Sequence, residues 1–244
     1  MNTNALVECR GLGKSFNGRI ALQNVDLTLG RGKVIGLLGP NGSGKTTLIK
    51  ILNGLLQPTT GTCAISGAMP GTYTKSIISY LPDKSYFADW MKVNDLLDMF
   101  EGFYMDFDRA KAETMCGYLG IHPTDRIKEM SKGTREKIQL ILVMSRNAEL
   151  YLLDEPIAGV DPAARDYILN TIINNYNEEG TILISTHLIT DIEKILDEVV
   201  FLREGRVIRH EAVDDIRMRE GKSIDELFKE DFRMVPIYEG GEMR

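Results

Sequence analysis

The sequence predicts an α/β fold into which a helical subdomain is inserted, and three observations support that prediction. A short apolar run at residues 34–38 is followed by a glycine-rich loop and a helical pattern at residues 47–56. The uninterrupted apolar runs 150–153 and 181–185 have the composition of parallel strands that are covered on both faces. Between residues 83 and 130 strand patterns are missing, and helices are predicted instead.

The bulk composition describes a globular chain and argues against some classes of partner. The 244 residues are 43% hydrophobic and 26% charged, with a formal net charge of −6. This acidic balance does not favour a broad basic surface for nucleic acid or anionic lipid. No apolar run has the length needed to span a bilayer. Residues 1–4 lack the basic region and apolar stretch of a secretory signal.

Cysteine and histidine usage gives no metal-site or disulfide pattern. Cys9, Cys63 and Cys116 are odd in number and far apart, which suits a reducing cytosol and provides neither a disulfide framework nor a metal-ligand spacing. The three histidines are equally scattered along the chain: His122, His187 and His210.

The N-terminal part is predicted to contribute two strands. Residues 6–10 and 20–29 have strand patterns, and the apolar residues of the second run mostly alternate, as in a sheet with one wet face. Phe16 lies between these runs, and an aromatic ring there could stack on a purine. From the residue alone, a plain core phenylalanine is an equally good interpretation.

The glycine-rich loop at residues 39–46 fits the pattern G-x-x-x-x-G-K-[ST] of a phosphate-binding loop. Glycines allow successive backbone N–H groups to point at one anion, and the following helix directs its positive end at the same place. Lys45 would add a cation for the terminal phosphates, and the Thr46 hydroxyl could bind Mg²⁺. The alternative is a glycine-rich turn whose Lys45 is only solvated. The flanking strand and helix favour the phosphate site.

The next part of the chain changes from strands to helices. Short strands are predicted at residues 62–66 and 77–81, and helices at residues 93–104 and 109–119. The helical stretch is rich in aromatic and methionine side chains, most of which we expect to form a local core. Those at residues 86–91 precede the helices and could instead face a partner protein.

The second half of the chain returns to alternating strands and helices. Ser131 is a candidate N-cap for a helix that reaches residue 144, and Asp161 followed by Pro162 can begin another. A hairpin is predicted within residues 199–208. A charged tail with a short helix at residues 223–228 follows it.

Three of the predicted strands end at groups that can bind a polar ligand. These are the loop at residues 39–46, Asp154 with Glu155, and His187. They can converge, because ligands bind outside the carboxyl ends of parallel strands. Asp154 could hold Mg²⁺, Glu155 could orient or deprotonate an attacking water, and His187 could contact a γ-phosphate. Taken alone, the two acids also fit a solvated strand end, and His187 fits an ordinary polar residue.

The order and spacing of these motifs resemble the ATP-binding subunit of an ABC transporter, of the bacterial exporter-like type, over nearly the whole chain. Residues 39–46 correspond to the Walker A motif, and residues 150–155 to Walker B with its following glutamate. The other correspondences are the switch histidine at His187, the D-loop at residues 158–161 with Asp161, the adenine-stacking aromatic at Phe16, and the signature L-S-G-G-Q at residues 130–134.

Two departures from the family pattern affect the expected site. In the signature, Lys132 replaces the first glycine and Thr134 the glutamine, whereas Ser131 and Gly133 are retained. The family's Q-loop glutamine aligns with Asp83, whose carboxylate can still bind Mg²⁺ but changes the local field.

The resemblance implies ATP and Mg²⁺ as cofactors and assigns roles to specific residues. Glu155, His187 and Lys45 are the expected catalytic residues. The expected metal ligands are Thr46, Asp83 and Asp154. The expected ATP-binding residues are Phe16, Gly39, Pro40, Asn41, Gly42, Ser43, Gly44, Lys45, Thr46 and Thr47. The signature residues expected to face the ATP of a partner subunit are Ser131, Lys132, Gly133 and Thr134.

The resemblance also implies an architecture. It consists of a P-loop NTPase core with a mixed central sheet, an antiparallel β subdomain and an inserted α-helical subdomain, all within one domain of residues 1–244. The core with its β subdomain is expected at about residues 1–82 and 150–210. The helical subdomain with the signature helix is expected at about 83–149, and a C-terminal tail at about 211–244.

The implied function is ATP hydrolysis that powers transport through separate membrane-spanning subunits. Two ATP-binding subunits, identical or different, are expected to pair, and permease subunits to dock around Asp83 to Met91, without nucleic acid. This places the chain in the cytoplasm, on the inner face of the cell membrane. The alternatives are a soluble ABC-type ATPase of an assembly or repair process, and a nucleotide sensor with little turnover.

Overall fold

Two sheets and two groups of helices make up the fold in the computed structural model, which describes residues 5–158, 160 and 162–232. The smaller sheet is antiparallel, with strand order β2-β1-β4. Its strands are β1 (Ala5–Phe16), β2 (Arg19–Gly30) and β4 (Thr60–Ile65). Leu27 and Leu29 of β2 are buried and Thr28 between them is exposed, as the predicted alternation requires. β1 runs well beyond the predicted residues 6–10, through irregular pairing on either side of Leu12 that the apolar pattern does not reveal.

The larger sheet has six strands in the order β5-β6-β7-β3-β8-β9. The pairs from β5 through β8 are parallel, and β8 and β9 form the antiparallel hairpin, so the sheet is mixed as expected. The strands are β3 (Val34–Leu38), β5 (Ile78–Leu81), β6 (Leu150–Asp154), β7 (Thr181–Thr186), β8 (Glu198–Arg203) and β9 (Arg206–Ala212). Every residue of β3, β6 and β7 is buried, which explains their uninterrupted apolar runs.

Helices cover both faces of this sheet. The helix after β3, α1 (Lys45–Leu52), packs between the two sheets through Leu48, Ile49 and Ile51. It ends before the predicted residue 56, because Gly54 takes a left-handed conformation with φ +67° and turns the chain. The other helices of this group are α2 (Thr72–Ile77), α6 (Pro162–Asn175), α7 (Ile189–Ile192), α8 (Val213–Glu220) and α9 (Ile224–Asp231).

The helical stretch predicted between the strands forms a core of its own. It comprises α3 (Val93–Phe103), α4 (Arg109–Tyr118), a 3₁₀ turn (Ile127–Glu129) and α5 (Lys132–Met144). Leu96, Phe100 and Ile138 are among the residues that pack together there. Of the aromatic residues before α3, Phe87 packs against this core, whereas Trp90 is 73% exposed. The local-core interpretation therefore applies to Phe87, whereas a partner contact at the exposed Trp90 stays a prediction.

Arg146 joins the helical group to the sheet. Its side chain is 2% exposed and donates to both carboxylate oxygens of Asp106, at 3.0 Å each. It also donates to the carbonyl of Ile78 at the start of β5, and its guanidinium lies 3.7 Å from the ring centre of Tyr104. The connection between α3 and α4 is thereby attached to the edge of the central sheet.

The cysteines occupy positions that their sequence spacing does not suggest. All three are buried and free, but Cys9 and Cys63 are direct partners across β1 and β4. Cys116 lies on α4. Within the described ranges no helix is long and apolar enough to cross a membrane.

Candidate functional site

The glycine-rich loop connects β3 to α1 at the carboxyl edge of the central sheet. Gly44 precedes the helix with φ +111°, and a Cβ atom there would lie 2.6 Å from the carbonyl oxygen of Ala21. A Cβ on Gly39 would lie 2.3 Å from the carbonyl oxygen of Leu202. Only glycine fits these two positions, so the loop passes close to β2 and β8 with its backbone free to face an anion.

Lys45 is the first residue of α1 and is 5% exposed. Its ammonium group donates to the carbonyl oxygen of Gly39 at 2.7 Å, which folds the side chain back over the loop. The same Nζ lies 3.3 Å from Oε1 of Glu155. The structure thus brings the lysine of the loop and the glutamate after β6 into contact, although they are distant in sequence.

Asp154 ends β6 and is 1% exposed. Its Oδ1 accepts hydrogen bonds from Ser185 Oγ at 2.6 Å and from Thr46 Oγ1 at 3.1 Å. Its Oδ2 is buried and has no hydrogen-bond partner among the described residues. Burial raises the pKa of Asp154, the two hydroxyl donors oppose that shift, and the nearby charges of Asp83 and Glu155 add to it.

An orphaned carboxylate oxygen beside a threonine hydroxyl fits a hard divalent cation. Such a cation would satisfy Asp154 Oδ2 and offset the cost of burying its charge. Asp83, two residues beyond β5, lines the same cavity as Thr46, and its charge adds to the raised pKa of Asp154. These three residues are the oxygen donors that the sequence suggested for Mg²⁺.

Glu155 has φ +52°, a left-handed conformation that is uncommon for a residue with a side chain. Its N–H donates to the Ser185 carbonyl at 3.0 Å, which holds the backbone there. Its Oε2 lies 3.0 Å from Nδ1 of His187. The turn therefore aims the carboxylate back across the end of β7, between Lys45 and His187, instead of letting it extend into solvent.

These groups open onto a cavity of about 820 Å³ above the loop. Phe16, Asp83, Glu155 and His187 line it together with part of the loop. The loop residues in the lining are Asn41, Gly42, Gly44, Lys45, Thr46 and Thr47. The structure thus brings together most of the candidate ATP-binding and catalytic residues. Gly39, Pro40, Ser43 and Asp154 are not part of that lining, and Asp161 lies outside the described residues.

Five lining residues were not predicted from the sequence: Arg19, Ile20, Ala21, Glu204 and Gly205. Arg19 and Ile20 begin β2, directly after the turn that follows Phe16. The position of Phe16 next to a turn was the one available signal for this pair. Glu204 and Gly205 form the β8–β9 turn, and their approach to the cavity follows from sheet order, which local sequence does not encode.

The signature residues lie apart from this cavity. Ser131 caps α5, accepting from the Thr134 N–H at 3.1 Å, as predicted. Ser131 and Thr134 line a separate depression of about 400 Å³. The Lys132 side chain is 84% exposed, with Glu136 at 3.7 Å. The structure therefore does not bring Ser131, Lys132, Gly133 or Thr134 to the chain's own glycine-rich loop.

The segment before α3 is attached to the start of α5. The N–H groups of Ile127 and Lys128 donate to the carbonyls of Met91 and Asp89, at 2.9 and 3.2 Å. Arg135, in the first turns of α5, donates to the Asp89 carboxylate at 3.1 Å and to the Lys128 carbonyl at 3.2 Å. The exposed segment that carries Trp90 and the N-terminus of α5 are thus held as one unit.

Comparison with known proteins gives one consistent family. Residues 22–158 match the model of the ABC transporter family. The ABC transporter ATP-binding protein YtrB of Bacillus subtilis is 30% identical over 215 residues, covering 87% of this chain and 74% of the relative. The uncharacterized ABC transporter ATP-binding protein MJ1023 of Methanocaldococcus jannaschii is 31% identical over 217 residues, covering 86% of this chain and 79% of the relative.

Solved structures agree with the fold. A structure described as the ATP-binding subunit of an ABC transporter has a TM-score of 0.80 and 28% identity, covering 92% of this chain and 98% of the other. The ATP-binding cassette MJ0796, solved as a dimer bound to ADP and Pi, has a TM-score of 0.74 and covers 84% of this chain and 98% of its own. At 19% identity, the second likeness concerns the fold alone.

Proposed function

The chain belongs to the ABC transporter family as an ATP-binding, ATP-hydrolysing subunit, and we propose that ATP binds and is cleaved in the cavity above residues 39–46. The observation that carries this assignment is the contact of Lys45 and His187 with the single carboxylate of Glu155, at 3.3 and 3.0 Å. This contact supports the proposal, because an ammonium group, a carboxylate and an imidazole meet at one point beside the glycine-rich loop.

ATP would lie with its phosphates along the loop and its base toward β1. Backbone N–H groups of residues 39–46 and the N-terminus of α1 would bind the phosphate oxygens. Lys45 would exchange its contact with the Gly39 carbonyl for the terminal phosphates. Phe16, which is 43% exposed at the mouth of the cavity, would stack on adenine. The exposed Arg19 beside it adds a positive charge near the ribose or phosphates.

Thr46, Asp154 and Asp83 would hold Mg²⁺, Asp154 through its orphaned Oδ2. The ion would supply charge neutralisation at the β- and γ-phosphates. Ser185 keeps the other oxygen of Asp154 occupied by a hydrogen bond, so the carboxylate is fixed in one orientation. Asp83 brings a charge where the family has a neutral glutamine, which strengthens attraction for a cation at this point.

Glu155 would accept a proton from the attacking water. Its left-handed backbone and its contacts with Lys45 and His187 would fix the carboxylate at the end of β6, facing the position of the γ-phosphate. His187 would donate to the same carboxylate or to the γ-phosphate, and so hold water and phosphate in line. Lys45 would leave the carboxylate when it binds phosphate, which frees Glu155 to act as a base.

A second copy or a related subunit would complete the site. The depression at Ser131 shares no lining residue with the chain's own cavity, and the N-terminus of α5 there is a good binding site for a phosphate group. In a face-to-face dimer, Ser131, Gly133 and Thr134 would contact the ATP of the other subunit, with the exposed Lys132 adding charge. Asp161 would lie in the same interface.

The membrane partner would dock at the exposed segment from Asp83 to Met91. Trp90 and Tyr86 are exposed there, and the segment is bonded to the start of α5. Docking through a permease would hold the chain at the inner face of the cell membrane. Co-purification with an integral membrane protein separates this function from that of a soluble assembly or repair ATPase, and steady phosphate release separates it from a nucleotide sensor.

Glu155→Gln is the direct test of the proposed site. Because the amide cannot accept a proton, we expect phosphate release to fall by roughly 10²-fold or more, with ATP affinity kept within about threefold. ATP should then hold the variant as a dimer in light scattering. Glu136→Gln, an exchange of the same kind near Ser131, is the control and should keep turnover. Undiminished phosphate release from Glu155→Gln would remove this residue from its role.

A further inference from the structure

Cys9 and Cys63 form a thiol pair that the ATPase function does not use. They are register partners in the antiparallel pairing of β1 with β4. Both side chains are buried, and both thiols are free. Residues directly opposite each other in an antiparallel pair point to the same face of the sheet, so the two sulfurs face each other.

The hydrogen bonds between β1 and β4 show whether Cys9 and Cys63 occupy a hydrogen-bonded or a non-hydrogen-bonded position of the antiparallel pair. The N–H of Ser66 donates to the carbonyl of Leu6 at 2.7 Å, so these two residues occupy a hydrogen-bonded position. Hydrogen-bonded and non-hydrogen-bonded positions alternate along an antiparallel pair. With Glu8 opposite Ala64 and Cys9 opposite Cys63, the cysteines fall on a non-hydrogen-bonded position.

Non-hydrogen-bonded positions bring side chains closest together. Opposed Cα atoms there are about 4.5 Å apart. A disulfide accepts Cα separations of roughly 4.4 to 6.8 Å, so this pair can be bridged without moving the backbone. Cys63 lies on the edge strand β4, and the neighbouring Cys9 thiol lowers the pKa of Cys63 while its own pKa is raised. A lower pKa favours the thiolate, so we assign the first attack to Cys63.

Strand order gives an oxidant a path to the buried sulfur. β4 is an edge strand, and its first residues, Thr60 to Thr62, are exposed. Separation of β4 from β1 exposes Cys63 while the longer pairing of β1 with β2 stays intact. Cys116 has no such arrangement, because it lies on α4 without another cysteine opposite it.

We propose that Cys9 and Cys63 are a site of reversible oxidation, which closes to an intramolecular disulfide by exchange with a low-molecular-weight disulfide of the glutathione type. The Cys63 thiolate attacks one sulfur of that disulfide and displaces one thiolate, which takes up a proton. Cys9 then loses its proton to solvent and attacks the Cys63 sulfur, displacing the second thiol. Two protein thiols are oxidised, and one small disulfide is reduced to two thiols.

The test uses the whole chain in its folded state. Wild-type protein is incubated with increasing ratios of oxidised to reduced glutathione, quenched in acid, unfolded, alkylated and examined by peptide mass spectrometry. We expect a Cys9–Cys63 bridge in the monomer, two hydrogens lighter, with Cys116 alkylated. Because the bridge closes a long loop of the unfolded chain, the melting temperature should rise by roughly 5–10 °C and return with dithiothreitol.

Single substitutions separate this pair from the remaining thiol. Cys9→Ser and Cys63→Ser should each lose the bridge and the shift in melting temperature, and Cys116→Ser should keep both. The wild-type result stands by itself if a serine variant folds poorly. The proposal is overturned if Cys9 and Cys63 stay alkylated as fully as Cys116 at every ratio. A bridge that forms only in denaturant, or one that includes Cys116, overturns it equally.

Discussion

Lys45 shows how one side chain can hold the cavity ready for its ligand. It is almost fully buried, yet its partners are a carbonyl oxygen and the carboxylate of Glu155, both of which a phosphate group can replace. A buried ammonium needs such partners, because an unpaired charge there would be costly. The same contacts that satisfy Lys45 therefore orient Glu155.

Lys45→Ala should lower ATP affinity by roughly 10- to 100-fold, the usual range for losing a charge-assisted contact to phosphate. Titration calorimetry measures the affinity directly. Lys50→Ala is a matched control, because Lys50 lies in the last turn of the same helix and outside the cavity lining. Equal affinity in the Lys45 variant and the wild type would contradict the phosphate role.

Phe16→Ala should weaken ATP binding about 5- to 20-fold through the loss of ring stacking, whereas Phe16→Tyr should bind as the wild type does. Inorganic tripolyphosphate provides the comparison, since it has no base to stack. Its affinity should be the same for all three proteins. A parallel loss for tripolyphosphate would show that the substitution disturbs the loop and not the contact to adenine.

At the scale of elements, the segment at residues 83–91 and the first turns of α5 are expected to move as one unit. Two backbone hydrogen bonds join the segment to the 3₁₀ turn that precedes α5, and the side chain of Arg135 joins it to α5 itself. A partner protein that displaces Trp90 would therefore also displace Ser131 at the start of α5. If the proposed permease docks at this segment, the connection would transmit its movement to the proposed dimer interface.

Arg135→Glu replaces the ion pair with Asp89 by two negative charges that repel each other. In the Glu155→Gln background, this change should weaken ATP-dependent dimerisation by about two- to fivefold. The effect is modest because Asp89 is largely exposed. The double reversal Asp89→Arg with Arg135→Glu should restore most of the affinity. Sedimentation at graded protein concentration measures it, and a double variant as weak as the single one would deny the coupling.

Sequence pattern identified the buried strands β3, β6 and β7 closely, because continuous apolar composition depends on burial on both faces. It was less successful with β1, where irregular pairing around Leu12 hides the period of two. The short helices α2, α7 and α8 were missed for a related reason. These helices are stabilised by packing against neighbouring elements, and four to eight residues are too few to show a helical spacing of apolar residues.

The candidate site was predictable where one motif carries several contacts, as at residues 39–46. Asp154, Glu155 and His187 could be placed because they follow parallel strands, whose carboxyl ends share an edge. Arg19 and Glu204 could not be placed, since they reach the cavity only because β2 passes close to the glycine-rich loop and β8 pairs with β3. Cys9 and Cys63 face each other because of the register between β1 and β4, and their separation in the sequence does not reveal that register.

For the whole molecule, Arg146 is the buried link between the helical group and the central sheet. Asp106→Ala leaves its guanidinium without a counter-ion and should lower the free energy of unfolding by about 3 kcal/mol. Urea denaturation followed by circular dichroism measures the change. Asp98→Ala, which removes an exposed acid on α3, is the control and should cost well under 1 kcal/mol. A loss no larger than in the control would remove Arg146 from this role.

The order of the six strands has a consequence for biosynthesis. β3 leads into the glycine-rich loop, but its neighbours in the sheet are β7 and β8. Val34 pairs with Ile182 and Ile35 with Glu198, so the partners of β3 are synthesised long after β3 itself. While the ribosome is still making the middle of the protein, β3 has both edges open, and pairings between such remote segments form slowly. During translation β3 therefore stays unpaired until residues 181–203 have been made, so the cavity above residues 39–46 can form only late in synthesis.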